Sequence, residues 1–308
     1  MHTEKTNAKG VIMLTITAII WGAGFVAQYL GGIHLGSFSF TAIRCLVGMF
    51  IIAIMIFCDN IVKYKKLIFF RKEENIKKTI KTSIFCGIFL FLGMTLQQIA
   101  VMQTTTAKAG FISSLTVIVV PIISLFFSKK ISKLMWFFIF TSLIGISMLN
   151  LDENIKIGIG DFICFLSTIG FSIDIIMISK NVIGIDELKF SFFRFLTVML
   201  LNFILVFLFE ELTLEKIFMA RYAIMFSGIF VIGVAYTFQI IGEKYCDPII
   251  ATLIMSFEGM FAAVFGYFIL GQKLNLMQIL GAIIMTISII SVQLINFMTV
   301  NITQQSNK

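Results

Sequence analysis

The chain has 308 residues, of which 59% are hydrophobic and 13% are charged, and its mean hydropathy is +1.02. Soluble domains carry about 25% charged residues, so this composition excludes a soluble globular protein and indicates one that crosses a membrane several times. The net charge of +8 does not predict a nucleic-acid partner, because the basic residues cluster between apolar segments, where the preference for basic cytoplasmic loops explains them.

Ten apolar segments are each long enough for a helix that crosses a hydrocarbon core about 30 Å thick. The first follows a short polar N-terminus without an obvious cleavage site, so it is interpreted as a retained helix and not a signal peptide. The ten predicted spans are residues 11–29, 38–58, 84–102, 107–127, 134–150, 160–179, 190–209, 222–242, 249–270 and 276–297.

The basic residues between these spans predict the orientation. With both termini in the cytoplasm, seventeen lysines and arginines lie on the cytoplasmic side and five on the other side. This is the bias of a multi-pass protein of the inner or plasma membrane of a cell.

The sequence offers few residues that could form a metal site or a disulfide bond. The five cysteines show no CxxC spacing and mostly lie in apolar segments, where they are interpreted as small hydrophobic residues. With two histidines in the chain, we predict no metal site and no cofactor. The sequence also lacks a dinucleotide-binding or phosphate-binding loop, so an enzyme is not expected.

The two halves of the chain share short spacings that occur in the same order. The recurring pairs, four and eleven residues apart, are Phe40 with Arg44, Phe190 with Arg194, Gly87 with Gln98, and Gly228 with Gln239. Because a unit of five spans ends on the opposite side of the membrane from where it begins, a second copy of that unit has the inverted orientation. We therefore predict an all-α integral membrane protein with ten transmembrane helices in two inverted five-helix repeats, residues 1–150 and 151–308.

Arg44 and Arg194 lie a few residues inside the second and seventh predicted helices. The simplest interpretation is that both snorkel to lipid headgroups. The alternative is a pair of gating contacts, Arg44 with an external acid and Arg194 with Asp186 or Glu187.

Glu258 lies near the middle of the ninth predicted span. An acidic side chain at the centre of a transmembrane helix costs about 2.5 to 3.5 kcal/mol, so such residues usually face the protein interior or a hydrated cavity. Beside it, a strip of small residues would let another helix approach closely: Gly259, Ala262, Ala263 and Gly266. The alternative is a buried, hydrogen-bonded Glu258 with no role in transport.

Asp174 lies well inside the sixth predicted span. Desolvation disfavours the charged form of a carboxylate, so both Glu258 and Asp174 are candidates for binding and releasing a proton, with Glu258 first. The alternative, which the sequence leaves open, is that one acid binds an ammonium group of the substrate without any coupling to protons.

Other polar side chains inside the spans are expected to turn inward, because lipid cannot satisfy their hydrogen bonds. They are Trp21, Gln28, Thr95, Gln98, Tyr236 and Gln239. Together with Asp174 and Glu258 they are the candidate substrate-binding residues. Core packing and hydrogen bonds between helices are the alternative roles.

Five short motifs occur in order along the chain: WGAGF at 21–25, AIR at 42–44, TTAKAGF at 105–111, SFEG at 256–259 and LGQ at 270–272. Together with the ten predicted spans, they resemble EamA-type members of the drug/metabolite transporter superfamily. The resemblance covers nearly the whole chain and implies a secondary transporter that exports amino acids or related metabolites by alternating access. In two places the chain departs from the family, which often has Glu-Pro and Leu-Gly-Glu there.

Rival functions remain open at this point. A multidrug efflux carrier would use an apolar cavity with one acid. From other classes, a membrane-embedded enzyme acting on lipids or a non-transporting membrane protein would use the same composition. We expect a small-molecule substrate and membrane lipids as partners, and a monomer or a homodimer.

Overall fold

The computed structural model describes residues 7–65, 67–70, 76–126, 133–149, 158–181, 184–246 and 248–272, and then 275–277, 279–281, 283–284, 287–288 and 291. Every regular element in these ranges is helical. The elements are α1 (Ala8–Gly32), α2 (Ser37–Tyr64), α3 (Ile76–Val101), α4 (Thr106–Ser114), α5 (Thr116–Leu125), α6 (Lys133–Leu149), α7 (Ile159–Asn181), α8 (Glu187–Phe209), α9 (Leu214–Met219), α10 (Arg221–Phe226), a π-helix (Ser227–Ala235), α11 (Tyr236–Lys244), α12 (Pro248–Met255) and α13 (Phe257–Leu270).

Eight helical stretches in the described part are long and apolar enough to cross a membrane. They are α1, α2, α3, α4 with α5, α7, α8, α10 through α11, and α12 with α13. The predicted fifth span corresponds to α6, whose apolar stretch, Trp136–Gly145, is shorter. The predicted tenth span, 276–297, falls largely outside the described residues.

Polar side chains fix several helix starts by accepting hydrogen bonds from otherwise unpaired backbone N–H groups. Asn7 Oδ1 accepts from Gly10 N at 2.9 Å and begins α1. Helix α2 has Gly36 at its cap position, and the carboxylate of Glu210, after α8, accepts the N–H groups of Phe38 and Ser39 at 3.0 and 2.8 Å. The end of α8 therefore holds the start of α2.

The strip of small residues on α13 lets α4 approach closely, as the sequence predicted. A methyl group placed on Gly259 would come within 3.0 Å of the Gly110 carbonyl oxygen. One placed on Gly110 would come within 2.7 Å of Ala262 Cβ. Small side chains are therefore required on both helices.

Two of the membrane-length stretches are interrupted near their middle. Leu115 separates α4 from α5, and Ser256 separates α12 from α13. The interruptions lie side by side, because Ser114 Oγ donates to the Ser256 carbonyl oxygen at 2.9 Å. Irregular backbone at membrane depth occurs where it is buried in protein or lines a cavity.

Candidate functional site

A cavity lies between helices from both halves of the chain. Its volume is about 40 Å³, which is room for a few water molecules. Its lining combines aromatic and aliphatic walls with polar and charged groups: Trp21, Phe25, Gln28, Arg44, Gln97, Ser113, Thr116, Phe171, Asp174, Ile175, Val231, Tyr236, Gln239, Met255 and Glu258.

Most of the residues proposed from the sequence meet at this cavity. The six that line it are Trp21, Gln28, Asp174, Tyr236, Gln239 and Glu258. Thr95 and Gln98 do not line it. Thr95 Oγ1 donates to Asn202 Oδ1 at 3.1 Å, and Gln98 Nε2 donates to the Gln28 carbonyl oxygen at 3.1 Å. Both side chains therefore link helices.

Glu258 lies in the first turn of α13 and is 8% exposed. Glu258 lines the cavity. Among the residues that the structure describes, it has no hydrogen-bond or ion-pair partner. This differs from the hydrogen-bonded structural glutamate that was the alternative interpretation.

The prediction that Arg44 and Arg194 snorkel to headgroups is wrong. Arg44 is 1% exposed and Arg194 is fully buried, because α2 and α8 turn these side chains toward other helices. The proposed contacts of Arg194 with Asp186 or Glu187 are also wrong. Asp186 accepts from the Lys189 backbone N at 3.1 Å and begins α8, and Glu187 pairs with Lys244.

Arg194 instead forms a buried ion pair with Asp174. Its Nη2 donates to Asp174 Oδ2. The guanidinium also lies 5.6 Å from the centroid of the Tyr236 ring, and since Asp174 and Tyr236 line the cavity, the ion pair borders it. A buried charge is tolerated in this way when another charge compensates it.

Arg44 lines the same cavity without such compensation. Its guanidinium lies 5.4 Å from the centroid of the Phe40 ring, a distance at which the ring face attracts a cation. In the described part of the chain, no acidic side chain pairs with Arg44, and its buried Nε has no hydrogen-bond partner.

Neutral polar groups at the cavity also keep unused hydrogen-bonding capacity. Trp21 Nε1, Gln28 Oε1 and Gln239 Oε1 are buried, with no partner within the described ranges. The Trp21 ring packs against Tyr236 with centroids 4.9 Å apart, and Gln239 Nε2 donates to Glu243 Oε1 at 2.7 Å. Buried polar groups in native proteins usually have a protein or water partner, so these atoms are available to a bound molecule.

Sequence reasoning missed several cavity residues, chiefly Arg44, Gln97, Ser113 and Thr116. Gln97 Nε2 donates to Ser113 Oγ at 2.9 Å. The pair Gln97-Gln98 was visible in the sequence, but only the second glutamine was considered. Arg44 was visible too, since its place inside the second span suits an interior side chain as well as one reaching the headgroups.

These features define a multi-pass membrane protein whose helices enclose a charged cavity, which is the organisation of a transporter. The model of the EamA-like transporter family matches residues 8–151 and again residues 158–294. The chain belongs to this family.

Two similar proteins add to this assignment. An "Uncharacterized transporter" of Archaeoglobus fulgidus is 27% identical over 304 residues, covering 94% of this chain and 90% of its own length. A solved structure described as "Crystal structure of protein" superimposes with a TM-score of 0.71 at 13% identity, covering 95% of this chain and 99% of its own. The second likeness concerns the fold alone.

Proposed function

We propose that this protein is a secondary transporter that exports amino acids or related small metabolites across the cytoplasmic membrane by alternating access. The observation that carries the proposal is the cavity, where Arg44 and Glu258 are buried without ion-pair partners in the described part of the chain. Uncompensated charges in a membrane-spanning region are costly. Their presence at a cavity is accounted for by a polar molecule that binds there.

The proposed architecture is ten transmembrane helices in two inverted five-helix repeats, 1–150 and 151–308. Matching contacts support it. A methyl group on Gly87 of α3 would meet the Arg194 carbonyl oxygen of α8 at 2.9 Å, and one on Gly228 of the π-helix would meet the Arg44 carbonyl oxygen of α2 at 3.1 Å. The third helix of each half thus packs against the second helix of the other half, which supports two repeats related by a twofold axis.

Two further observations agree with this symmetry. The breaks at Leu115 and Ser256 lie in the fourth helix of each proposed repeat, and the family model matches once in each half. In inverted-repeat carriers, broken helices contribute to the substrate site, and rocking of one repeat against the other opens it to alternate sides. A cavity with room for a few waters would have to widen in this way to admit a metabolite.

Glu258 is the proposed proton carrier, with Asp174 second. Glu258 faces the cavity without a partner in the described ranges, whereas Asp174 is engaged by Arg194. In proteoliposomes, Glu258→Gln is expected to exchange substrate at saturating concentration but not to concentrate it on a pH gradient. A Glu258→Gln protein that still concentrates substrate on that gradient would remove the proton coupling.

We further propose that the chain lies in the inner or plasma membrane with both termini in the cytoplasm. The bias of seventeen basic residues against five supports this orientation. The proposed partners are the small-molecule substrate and membrane lipids, and the proposed state is a monomer or a homodimer.

The experiment that tests the function is counterflow. Purified protein in liposomes preloaded with unlabelled metabolites is expected to take up at least one member of a pooled set of labelled metabolites, amino acids included. Liposomes without the protein provide the control. No uptake of any member would contradict the proposal.

Multidrug efflux is a second candidate, because much of the cavity wall is apolar. Phe25, Phe171, Val231 and Met255 contribute to it. This function predicts increased resistance of cells to unrelated cationic dyes, which metabolite export does not.

A further inference from the structure

We propose that Arg44 and Glu258 together select a zwitterionic substrate, with Arg44 binding its carboxylate and Glu258 its ammonium group. This inference rests on the proposed transport function and deepens it by assigning a recognition role to each charge of the cavity.

Arg44 has the properties of a carboxylate anchor. Arg44 is 1% exposed and lines the cavity, so its side chain has almost no contact with the outer surface of the protein. Arg194, by contrast, has Asp174, and no comparable acid pairs with Arg44 in the ranges described. A guanidinium binds a carboxylate through two parallel hydrogen bonds and remains charged in proteins. The ring of Phe40, 5.4 Å away, attracts the guanidinium without neutralising it.

Glu258 has the complementary properties. It is 8% exposed, lines the cavity and has no donor within hydrogen-bond distance among the described residues. Its carboxylate can therefore accept hydrogen bonds from an ammonium group, which offers three donors and no acceptor. Asp174 lines the cavity too, but its ion pair with Arg194 already engages one of its oxygens.

The two charges border one cavity without forming an ion pair with each other. A ligand with a single charge would compensate one of them and leave the other buried and alone. A zwitterion compensates both in a single binding event. Specificity of this kind arises as much from the penalty on the wrong ligand as from contacts with the right one.

The walls between the charges are suited to an apolar remainder of the substrate. Trp21, Phe25 and Phe171 line the cavity, and their rings offer apolar surface that accepts aliphatic or aromatic groups. The expected substrate is therefore a small zwitterion with a compact, largely apolar body.

The test compares each zwitterion with analogues that lack one charge. The probes are L-leucine with isoamylamine and isocaproate, and γ-aminobutyrate with butylamine and butyrate, with glycine and δ-aminovalerate added to vary the distance between the charges. Thermal stabilisation of the full-length protein in detergent reports binding. Counterflow in liposomes reports transport independently.

Wild-type protein is expected to bind at least one zwitterion about 10- to 100-fold more tightly than either of its analogues, the range for losing a hydrogen bond to a charged group. In Arg44→Gln, the zwitterion should bind only as well as the amine, whose own affinity should not fall because Glu258 is retained. In Glu258→Gln, it should bind only as well as the carboxylate analogue. Arg44→Lys, which keeps the charge but not the two parallel hydrogen bonds, should keep part of the preference, and Arg221→Gln should keep all of it.

Equal losses for zwitterion and amine in Arg44→Gln would assign Arg44 a structural role and overturn the inference. A wild-type protein that prefers a single-charge analogue would overturn it as well, even if counterflow proceeds. If the binding preferences hold but counterflow is absent for every probe, the selection of zwitterions stands and the proposed transport function fails. Should Arg44→Gln not fold, Arg44→Lys and Glu258→Gln give the same comparison.

Discussion

Two buried arginines, one in each half, have different electrostatic surroundings. Arg194 forms an ion pair with Asp174, whereas Arg44 has no acid partner among the described residues and lines the cavity. A buried charge needs compensation. The protein compensates Arg194, whereas Arg44 is left for a bound molecule to compensate. We therefore propose that Arg194 has a structural role and that Arg44 binds the substrate.

The origin of this difference is visible in the sequence. A spacing of 150 residues separates Arg44 from Arg194, and the same spacing before Asp174 leads to Gly24. In the proposed repeats, the first half thus has Gly24 at the place where the second half has the counter-ion Asp174.

Removing the counter-ion of Arg194 should have the largest effect. Asp174→Asn leaves a buried charge without compensation, and the expected cost is about 3 to 5 kcal/mol of unfolding free energy. Denaturant unfolding in detergent measures it. The double variant Asp174→Ala with Arg194→Met should recover most of that loss, and an Asp174→Asn protein as stable as wild type would contradict the structural role of the pair.

Giving Arg44 a counter-ion should remove transport. Gly24→Asp is expected to engage Arg44 and lower counterflow about 10- to 100-fold, since one charge-assisted interaction with the substrate is lost. Gly24→Asn is the matched control, because it adds the same bulk beside Val231, whose Cγ2 lies 3.1 Å from the position of a Cβ. Equal losses in the two variants would mean that bulk, and not charge, is responsible.

The two helices that carry the arginines also differ at their starts. Asp186 begins α8 with its own side chain, whereas α2 has Gly36 at the cap position and borrows the carboxylate of Glu210. Glu210→Ala is therefore expected to lower the unfolding free energy by about 1 to 2 kcal/mol. The exposed neighbour Glu211 is the control, and a similar loss in Glu211→Ala would argue against the cap.

Substitutions of the adjacent glutamines Gln97 and Gln98 of α3 should affect different properties, transport for Gln97 and stability for Gln98. These effects should be smaller than those above. Gln97→Leu removes a cavity group, so counterflow is expected to fall several-fold, as for one neutral hydrogen bond of about 1 kcal/mol. Gln98→Leu removes the hydrogen bond to the Gln28 carbonyl oxygen and should mainly lower thermal stability. Loss of transport in Gln98→Leu with unchanged stability would reverse this assignment.

Much of the fold could be predicted from apolar length alone, because a hydrocarbon core demands continuous helices. The strip of small residues beside Glu258 also predicted correctly that another helix packs closely there, since small residues at helical spacing let two helix backbones approach each other. The interruptions at Leu115 and Ser256 were not, because neither position carries a glycine or proline that would indicate a break.

Which side of a helix faces the protein was harder to predict. Arg44 lies near enough to a span end to suggest snorkelling, and only packing decides that it turns inward. The choice of Gln98 over Gln97 failed for a different reason. A π-helical stretch, Ser227–Ala235, precedes Gln239, and such a stretch accommodates an extra residue. Equal spacings after Gly87 and Gly228 therefore do not lead to equivalent positions.

The most direct test of the division between the two arginines is to unfold Arg44→Met and Arg194→Met side by side in the same detergent. Arg194→Met should be destabilised by about 3 to 5 kcal/mol, because Asp174 loses its partner. Arg44→Met should be as stable as wild type or more stable, because it removes a buried charge that no acid in the described part of the chain compensates. Equal destabilisation of the two variants would contradict the account.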